Sequence, residues 1–268
     1  MQMFVCPICA APLQVCDRTL ACDLNHCFDI SRKGYVNLVP AQHRNSKAPG
    51  DHEEMVAARR RFLAQGYYRL LRECLAATLD ELLIEGAVAD LGCGEGYFTA
   101  ALVSHCRQIY GVDVSKAAIN AAYRHSEPIN WAVASTTQLP LRTSGFELAM
   151  VVMAPMSDDV IRILKPGGYL IRVTPAAAHL WEFKSLVYAQ PRKHQRATAD
   201  LNGFSLERTL TIEDQVWIEG SSLTDLLVMT PMRYRTAKTW AKTLAKQPAL
   251  SLSVAFTLDV FKVSDARS

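Results

Sequence analysis

Short runs of apolar and β-branched residues alternate with amphipathic segments from residue 87 onward. Five runs predict strands, at 87–91, 108–113, 130–134, 145–153 and 169–174. The fourth run is apolar at consecutive positions, as expected for a strand buried on both faces. Strands that alternate with helices form a mainly parallel, doubly wound α/β sheet, which binds its ligands at the carboxyl ends of the strands.

The segments on either side are predicted to form a helical lead-in and an extended tail. Upstream, the pattern predicts an amphipathic helix from Glu53, capped by Asp51, and a second helix over 69–83. Downstream, it predicts an extended segment, a helix and a final strand, at 203–220, 236–246 and 250–263. At 268 residues, the chain can hold one α/β domain and a small module.

A glycine-rich turn follows the first strand. Glycines occupy every second position at Gly92, Gly94 and Gly96, with Glu95 between the last two, and a helix is predicted from Tyr97. Glycines let backbone press closely on a ligand at a helix N-terminus. The dinucleotide fingerprint G-x-G-x-x-G needs glycine where this chain has Tyr97. The spacing G-x-G-x-G resembles that of class I S-adenosylmethionine (SAM) methyltransferases.

Two carboxylates support a SAM site. Asp90 lies at the end of the first strand, two residues before the first glycine. Asp113 ends the next strand, 21 residues after Gly92, about where a carboxylate meets ribose hydroxyls in Rossmann-like folds. We therefore predict that Asp90, the glycine turn and Asp113 bind SAM.

Two positions depart from the patterns of other methyltransferases. After the third strand, Ala134-Ser135 stands where these enzymes usually offer an acid or amide to adenine, so a backbone N–H or the hydroxyl must serve. After the fourth strand, Ala154-Pro155 replaces the Asp/Asn-Pro-Pro-aromatic motif that DNA amino-methyltransferases use to hold an exocyclic amine. Methylation of such an amine is therefore not expected.

Residues 1–42 are predicted to form a zinc ribbon, with 43–268 as the methyltransferase domain. Cys6-Pro-Ile-Cys9 is followed, after twelve residues, by Cys22-x₃-His26. Each turn places two ligands on one side of a tetrahedral ion, and four protein ligands leave no open position for catalysis, so a structural zinc is expected. Cys27 or Cys16 could replace His26 as the fourth ligand.

Composition favours a cytoplasmic protein that does not cross a membrane. The N-terminus lacks the basic start and apolar core of a signal peptide, and the longest apolar run, 148–156, is too short to span a bilayer. Eight cysteines without an export signal are expected to be thiols or metal ligands. Net charge is only +3, so the overall field does not by itself indicate nucleic-acid binding.

Basic residues nevertheless cluster in two places. Nine lysines and arginines, with His43, lie within 32–72, and a second group comprises Arg233, Arg235, Lys238, Lys242 and Lys246. Either cluster could be a solvated helix face. Beside a zinc ribbon, itself a frequent nucleic-acid module, the first could equally be a surface that faces RNA.

Taken together, the chain resembles the RlmA family of 23S ribosomal RNA guanine-N1 methyltransferases. The resemblance rests on Cys-Pro-x-Cys, His26-x-Phe-Asp, Gly34-Tyr-Val-Asn-Leu, Pro49-Gly-Asp, Ala58-Arg-Arg, Leu91-Gly-Cys-Gly-Glu-Gly-Tyr, Asp113-Val-Ser-Lys and Thr174-Pro followed by His179-Leu. The glycine motif is shared by a very large superfamily, whereas the zinc ribbon followed by Gly-Tyr-Val-Asn-Leu is narrow and carries the identification.

The resemblance implies roles for particular residues. It places zinc on Cys6, Cys9, Cys22 and His26, and SAM contacts on Tyr68, Gly94-Glu95-Gly96 and His179. It also implies a homodimer with a cleft for a 23S rRNA hairpin in domain II.

Guanine N1 carries a proton at neutral pH and lies on the Watson–Crick edge. The base must therefore be unpaired or flipped out, and a base must remove the proton. Asp158, Asp159 and His179 are near the right strand ends, but the catalytic base stays open. Tyr67, Tyr68 or Trp181 could stack on the guanine. The alternatives are a SAM methyltransferase acting on another RNA or a small molecule, and a non-catalytic zinc-dependent RNA-binding protein.

Overall fold

The computed structural model describes residues 1–40, 50–123, 129–234, 240, 244 and 249–264. The helices in these ranges are α1 (Glu53–Ala64), α2 (Arg69–Leu82), α3 (Lys116–Ala122), α4 (Val160–Ile163), α5 (Trp181–Val187) and α6 (Gly220–Val228). The strands are β1 (Gln14–Cys16), β2 (Thr19–Ala21), β3 (Cys27–Asp29), β4 (Val36–Asn37), β5 (Ala87–Leu91), β6 (Gln108–Asp113), β7 (Ile129–Val133), β8 (Phe146–Val152), β9 (Leu164–Pro175), β10 (Phe204–Glu219) and β11 (Ala249–Val263).

One eight-stranded sheet organises the molecule, in the order β10-β11-β9-β8-β5-β6-β7-β4. The pairs from β9 to β4 are all parallel, and β11 runs antiparallel to both β9 and β10. The predicted mainly parallel, doubly wound fold is therefore confirmed. Because β5 and β8 are central, their carboxyl ends open into the crevice where such sheets bind ligands.

Both faces of the central strands are buried. Along β8, Leu148 and Met150 pack in the core beneath α1 and α2, whereas Ala149 and Val151 pack in the core on the opposite face. This double burial explains the unbroken apolar run.

The N-terminal ribbon shares a core with the large sheet. Strands β1, β2 and β3 form a small antiparallel sheet, and Phe4 packs edge-on against Tyr110 of β6 with ring centroids 5.3 Å apart. The N–H of Val5 donates to the Pro140 carbonyl at 3.0 Å. Strand β4 then adds to the edge of the large sheet beside β7. The ribbon therefore packs directly against the large sheet.

Several local predictions need correction. The helix expected from Tyr97 is a 3₁₀ helix, Thr99–Leu102, which holds Thr99 under the end of β5. Helix α1 begins after His52 without a side-chain cap, because Asp51 pairs with Arg59 instead. Helix α4 is shorter than expected, at four residues.

The extended segment predicted at 203–220 and the final strand predicted at 250–263 are present as β10 and β11. Ser115 caps α3, accepting from the N–H of Ala118 at 3.1 Å. The junction at 42–49, most of the helix predicted over 236–246 and four members of the second basic cluster lie outside the described residues, the four being Arg235, Lys238, Lys242 and Lys246. Within the described ranges, no helix is both long and apolar enough to cross a membrane.

Candidate active site and metal centre

Two knuckles of the ribbon bring Cys6, Cys9, Cys22 and His26 together. Their ligand atoms all lie within 4.8 Å of one another. His26 Nδ1 is 3.5 Å from Cys6 Sγ and 3.4 Å from Cys22 Sγ, and Cys9 Sγ is 3.7 Å from Cys22 Sγ. A tetrahedral zinc site has edges of about 3.8 Å between sulfurs and about 3.6 Å between sulfur and nitrogen. The four residues therefore fit zinc, with His26 offering Nδ1.

The two alternative cysteines lie outside this cluster. Cys16 is exposed at the end of β1, and the exposed Cys27 thiol faces the Asn25 carbonyl at 3.6 Å. The second knuckle turns at Asn25, which has a left-handed φ of 61° and donates its N–H to the Cys22 carbonyl. This turn directs His26 towards the sulfurs and Cys27 away from them.

The glycine turn leaves β5 in a left-handed backbone conformation. Gly92, Gly94 and Gly96 have φ values of 77°, 57° and 86°. A Cβ on Gly92 would lie 2.4 Å from the Cβ of Ala154, which follows β8. Gly92 is therefore required both by its conformation and by the close approach of the loop after β8.

Asp113 is fixed at the end of β6 by two backbone groups. Its Oδ2 accepts from the N–H of Gly94 at 2.9 Å, and its Oδ1 accepts from the N–H of Ser115 at 2.7 Å. Burial raises the pKa of Asp113, and these two hydrogen bonds oppose the shift. The carboxylate thus couples the glycine turn to α3 and lies in the cavity wall.

Asp90 is buried beneath the turn. Its Oδ2 accepts from the Thr99 hydroxyl at 2.6 Å, and only 1% of the residue is exposed. Burial raises the pKa of Asp90 to about 7, the Thr99 hydrogen bond opposes the shift, and Asp113 adds to it. Asp90 therefore supports the glycine turn through Thr99 and does not line the cavity.

A cavity of about 1270 Å³ opens above these residues. Six of the eight predicted cofactor residues line it, namely Tyr68, Gly92, Gly94, Glu95, Asp113 and His179. Asp90 and Gly96 are not part of its wall. The volume exceeds the about 300–1000 Å³ of a usual small-molecule site, so a cofactor and a second molecule can occupy it together. With the Asp113 carboxylate and the glycine turn on its wall, the cavity fits SAM.

Tyr68 and His179 meet in the cavity wall although 111 residues separate them. The N–H of Ala255 donates to His179 Nδ1 at 3.2 Å, so Nδ1 must be unprotonated. Burial, with lesser effects from His194 and Lys184, lowers the pKa of His179 to about 3. The neutral ring therefore carries its proton on Nε2, which faces the Tyr68 hydroxyl at 3.4 Å. This arrangement leaves the Tyr68 O–H free to donate into the cavity.

The three candidate bases suggested by the sequence are poorly placed. Asp159 accepts from Arg162 at 2.7 Å and from the N–H of Leu139 at 2.8 Å, which ties it to neighbouring loops. Asp158 is exposed and does not line the cavity. Both nitrogens of His179 are engaged, as described above.

Of the proposed stacking residues, only Tyr68 lines the cavity. Tyr67 packs against Phe62 with ring centroids 4.8 Å apart, and the ammonium of Lys193 lies over the Trp181 ring at 5.5 Å.

Sequence reasoning missed five cavity-wall residues that carry a charge or an imidazole: Asp51, Arg59, Lys184, Arg192 and His194. Arg59 pairs with Asp51 and donates to the Met229 carbonyl at 3.0 Å. Asp51 and Arg59 lie within the motifs Pro49-Gly-Asp and Ala58-Arg-Arg, so those motifs offered a signal. No motif marks Lys184 or His194.

Comparison with known proteins agrees with both parts of the molecule. Residues 4–47 match the zinc-ribbon family described as RlmA, N-terminal, and residues 88–168 match a methyltransferase domain. A solved structure of a putative methyltransferase from Bacillus halodurans covers 70% of this chain and 98% of its own, with a TM-score of 0.50 and 14% identity, which supports the fold alone.

Two relatives are similar in sequence. The 23S rRNA (guanine(748)-N(1))-methyltransferase of Streptomyces fradiae is 41% identical over 184 residues, which span 66% of this chain and 65% of that relative's own length. A putative 23S rRNA (guanine-N(1)-)-methyltransferase of Micromonospora griseorubida is 32% identical over 284 residues, covering 95% of this chain and 94% of the relative.

The fold, the glycine turn and the cavity define a class I SAM-dependent methyltransferase, with SAM as cofactor and a structural zinc ion in its ribbon. The chain belongs to the family of 23S rRNA (guanine-N1)-methyltransferases.

Proposed function

We propose that this chain transfers a methyl group from SAM to N1 of one guanine in a hairpin loop of domain II of 23S rRNA. The observation that carries the proposal is a zinc ribbon docked on the same sheet whose strand ends form a cavity large enough for a cofactor and a base. The S. fradiae relative, whose name specifies guanine 748, makes that position the first to examine.

The cavity suits a flipped nucleotide. Guanine N1 is reachable only when the base leaves its pair, and a flipped base needs a deep, partly apolar pocket. Val152, Pro155 and Val173 contribute apolar wall, while Arg59 and Arg192 add positive charge. A phosphate backbone drawn to these cations would place the base within the cavity.

Within this proposal the cofactor residues have distinct roles. Asp113 accepts from the ribose hydroxyls, Gly92, Gly94 and Glu95 cradle the amino-acid end of SAM, and Tyr68 donates its hydroxyl to that end, with His179 positioning it. Asp90 and Gly96 shape the turn. SAM, when bound, supplies an electrophilic methyl group on a sulfonium. The protein's task is to align guanine N1 with that methyl and to remove the N1 proton.

We assign RNA selection to the zinc ribbon, residues 1–42, with zinc held by Cys6, Cys9, Cys22 and His26. Residues 43–268 carry out the chemistry. We further propose a homodimer that binds one hairpin per cleft and acts in the cytoplasm, where ribosomal RNA is present. RNA binding that weakens steeply with salt would support phosphate contacts, because each contact releases counterions.

The experiment is methyl transfer from labelled SAM to unmethylated hairpin fragments of 23S rRNA, with the product mapped by primer extension. N1-methylation blocks Watson–Crick pairing and arrests reverse transcription at one nucleotide. An arrest that requires SAM, and is lost in Asp113→Ala, supports the proposal. SAM binding without label in RNA would contradict it and would favour a small-molecule substrate.

A further inference from the structure

The acceptor side of the cavity can be located from the strand order. Asp113 ends β6 and the glycine turn ends β5, so the cofactor extends from β6 towards β8. The next strand in the sheet is β9, two strands beyond β5 and about 10 Å away at the usual strand spacing. We therefore expect the chain beyond β9 to face the molecule that receives the methyl, with His179, directly after β9, at the boundary beside Tyr68.

Two groups in this part of the chain are Lys184, on α5, and His194, on the segment between α5 and β10. Both line the cavity, and Lys184 is only 7% exposed. Among the described residues, neither side chain forms a hydrogen bond or an ion pair. The His194 ring lies against that of His179, with centroids 6.0 Å apart. Because Lys184 lines the cavity without a carboxylate partner among the described residues, its ammonium is available to a negatively charged group of a ligand.

The segment that carries His194 is anchored from below. Arg172 of β9 donates to the Thr198 carbonyl at 2.6 Å and to Asp259 of β11 at 2.8 Å. Both members of this pair are buried, with side-chain exposures of 7% and 1%. The anchor fixes the chain four residues beyond His194 to the floor of the sheet, so the imidazole has a defined position at the cavity.

We propose that His194 is the catalytic base that accepts the N1 proton of guanine, and that the Lys184 ammonium faces O6 of the same base. This inference rests on the proposed function. His194 is a cavity imidazole whose nitrogens are uncommitted among the described residues, in contrast to His179. Lys184 supplies a positive charge where deprotonation places negative charge.

The N1–H bond breaks and its proton passes to a ring nitrogen of His194, while the electron pair stays on N1. Negative charge shared between N1 and O6 is held by Lys184. That electron pair forms the new N1–C bond as the S–C bond breaks, and the sulfonium departs as a neutral thioether. The imidazolium then releases its proton to water.

The local charges favour this division of roles. The titratable groups that face His194 are Lys184 from α5 and His179 from the loop after β9, with Tyr68 behind His179 and Arg192 on the same segment. Burial, aided by the Lys184 charge, lowers the pKa of His194, and burial also lowers that of Lys184. His194 is consequently neutral, and ready to accept a proton, at pH 7.

The test combines a pH–rate profile with a direct titration. Single-turnover methyl transfer is measured from pH 5.5 to 9.5 for the wild type, His194→Asn, Lys184→Met and the matched controls His105→Asn and Lys165→Met, whose side chains lie outside the cavity wall. The wild-type rate should rise through the His194 pKa and then level. His194→Asn should be slower by roughly 10²-fold or more at pH 7 and should rise tenfold per pH unit, because hydroxide must replace the base.

NMR titration of ring-labelled histidines supplies a readout that does not depend on activity. Lys184→Met should raise the pKa of His194, because it removes a like charge, and should slow methyl transfer while leaving SAM affinity unchanged. The two control variants should match the wild type.

Each contrary result has a distinct meaning. If His194→Asn keeps the wild-type pH–rate profile, the inference is overturned. It is also overturned if Lys184→Met weakens SAM binding but leaves the rate at saturating SAM unchanged, a result that would assign Lys184 to the SAM carboxylate. An unchanged His194 pKa in Lys184→Met also overturns it. If the wild type binds SAM but methylates no RNA, the proposed function itself fails, and the two failures are thereby separated.

Discussion

The zinc cluster and the SAM cavity are two sites assembled in opposite ways. The cluster gathers four side chains from 21 consecutive residues, Cys6 to His26, and its geometry is that of the ion. The cavity gathers groups from Gly50 to Met232, and the backbone conformation of three glycines is as important as any side chain. A site whose ligands lie close together in the chain can be predicted from the sequence. A site formed at the edge of a sheet can be identified only once the fold is known.

The largest expected effect comes from removing a zinc ligand. Cys22→Ser should abolish zinc binding and unfold the two zinc-binding turns, since metal affinity supplies folding energy. The cost should fall short of the about 10–16 kcal/mol of isolated zinc-finger peptides, because Phe4 and Phe28 remain packed on the large sheet. Zinc stoichiometry and hydrogen exchange of residues 4–29 measure the result. Cys16→Ser and Cys27→Ser should retain one zinc, and loss of zinc in either would reassign the fourth ligand.

Backbone conformation in the turn can be tested next. Gly92→Ala adds a left-handed penalty of about 1–2 kcal/mol and an overlap with Ala154 of about 1–3 kcal/mol. SAM binding should be lost. Gly66→Ala is the matched control, because Gly66 also has a positive φ, 81°, but a Cβ there would meet nothing within 4 Å. Denaturant unfolding that gave equal costs for the two variants would show that strain alone, and not the close approach of Ala154, requires Gly92.

The metal cluster and the sheet could be predicted from the sequence, whereas the surroundings of some site residues could not. The cysteine spacing identified the metal cluster, and the parallel sheet followed from the strand–helix alternation. The place of Asp113 on the cavity wall was predictable, because the carboxyl end of the second strand lies at the edge of the sheet where such folds bind ligands. Asp90 was read as a cofactor contact, yet it lies beneath the turn, bonded to Thr99. Burial is a property of packing, and strand position alone could not reveal it.

The missed residues have a different cause. Tyr68 and His179 came only from the family resemblance, since no spacing links residues 111 positions apart. His194 reaches the cavity on a segment that the buried pair Arg172–Asp259 anchors at Thr198, whereas Lys184 reaches it from helix α5. That pair joins two strands 87 residues apart, so its consequence appears only when β9 and β11 are adjacent.

The buried acid gives a pH-dependent effect of intermediate size. Since burial raises the pKa of Asp90 to about 7 from its unfolded value near 4, the folded state binds the proton more tightly between these values. Stability from this group is present below about pH 4 and is lost as pH rises to about 7, by up to about 1.4 kcal/mol per pH unit. Asp90→Asn, which does not titrate, should gain stability relative to the wild type over that window.

Urea unfolding of the SAM-free proteins at several pH values measures the difference in unfolding free energy between Asp90→Asn and the wild type, in which the other titrating groups cancel. If this difference stays constant or falls as pH rises, the burial of Asp90 is contradicted.

The smallest expected effect concerns the exposed wall of the cavity. Asp113→Asn keeps one of the two backbone hydrogen bonds but loses the charge, so it should weaken SAM binding by about 1.5–3 kcal/mol, or roughly 10–100-fold. Stability should change little. Asp80→Asn, at an exposed position beside His105, is the control. Calorimetric titration with SAM measures the affinity of each variant. An unchanged affinity in Asp113→Asn would show that Asp113 does not bind the cofactor.

The most direct measurement of the central claim is the identity of the methylated nucleoside. Unmethylated 23S rRNA is incubated with zinc-loaded protein and labelled SAM, digested to nucleosides and resolved by mass spectrometry. We expect one equivalent of 1-methylguanosine, absent with Asp113→Asn at low SAM and with Cys22→Ser. A label on the exocyclic amine, on N7 or on another base would contradict it, as would a labelled small molecule with none in RNA.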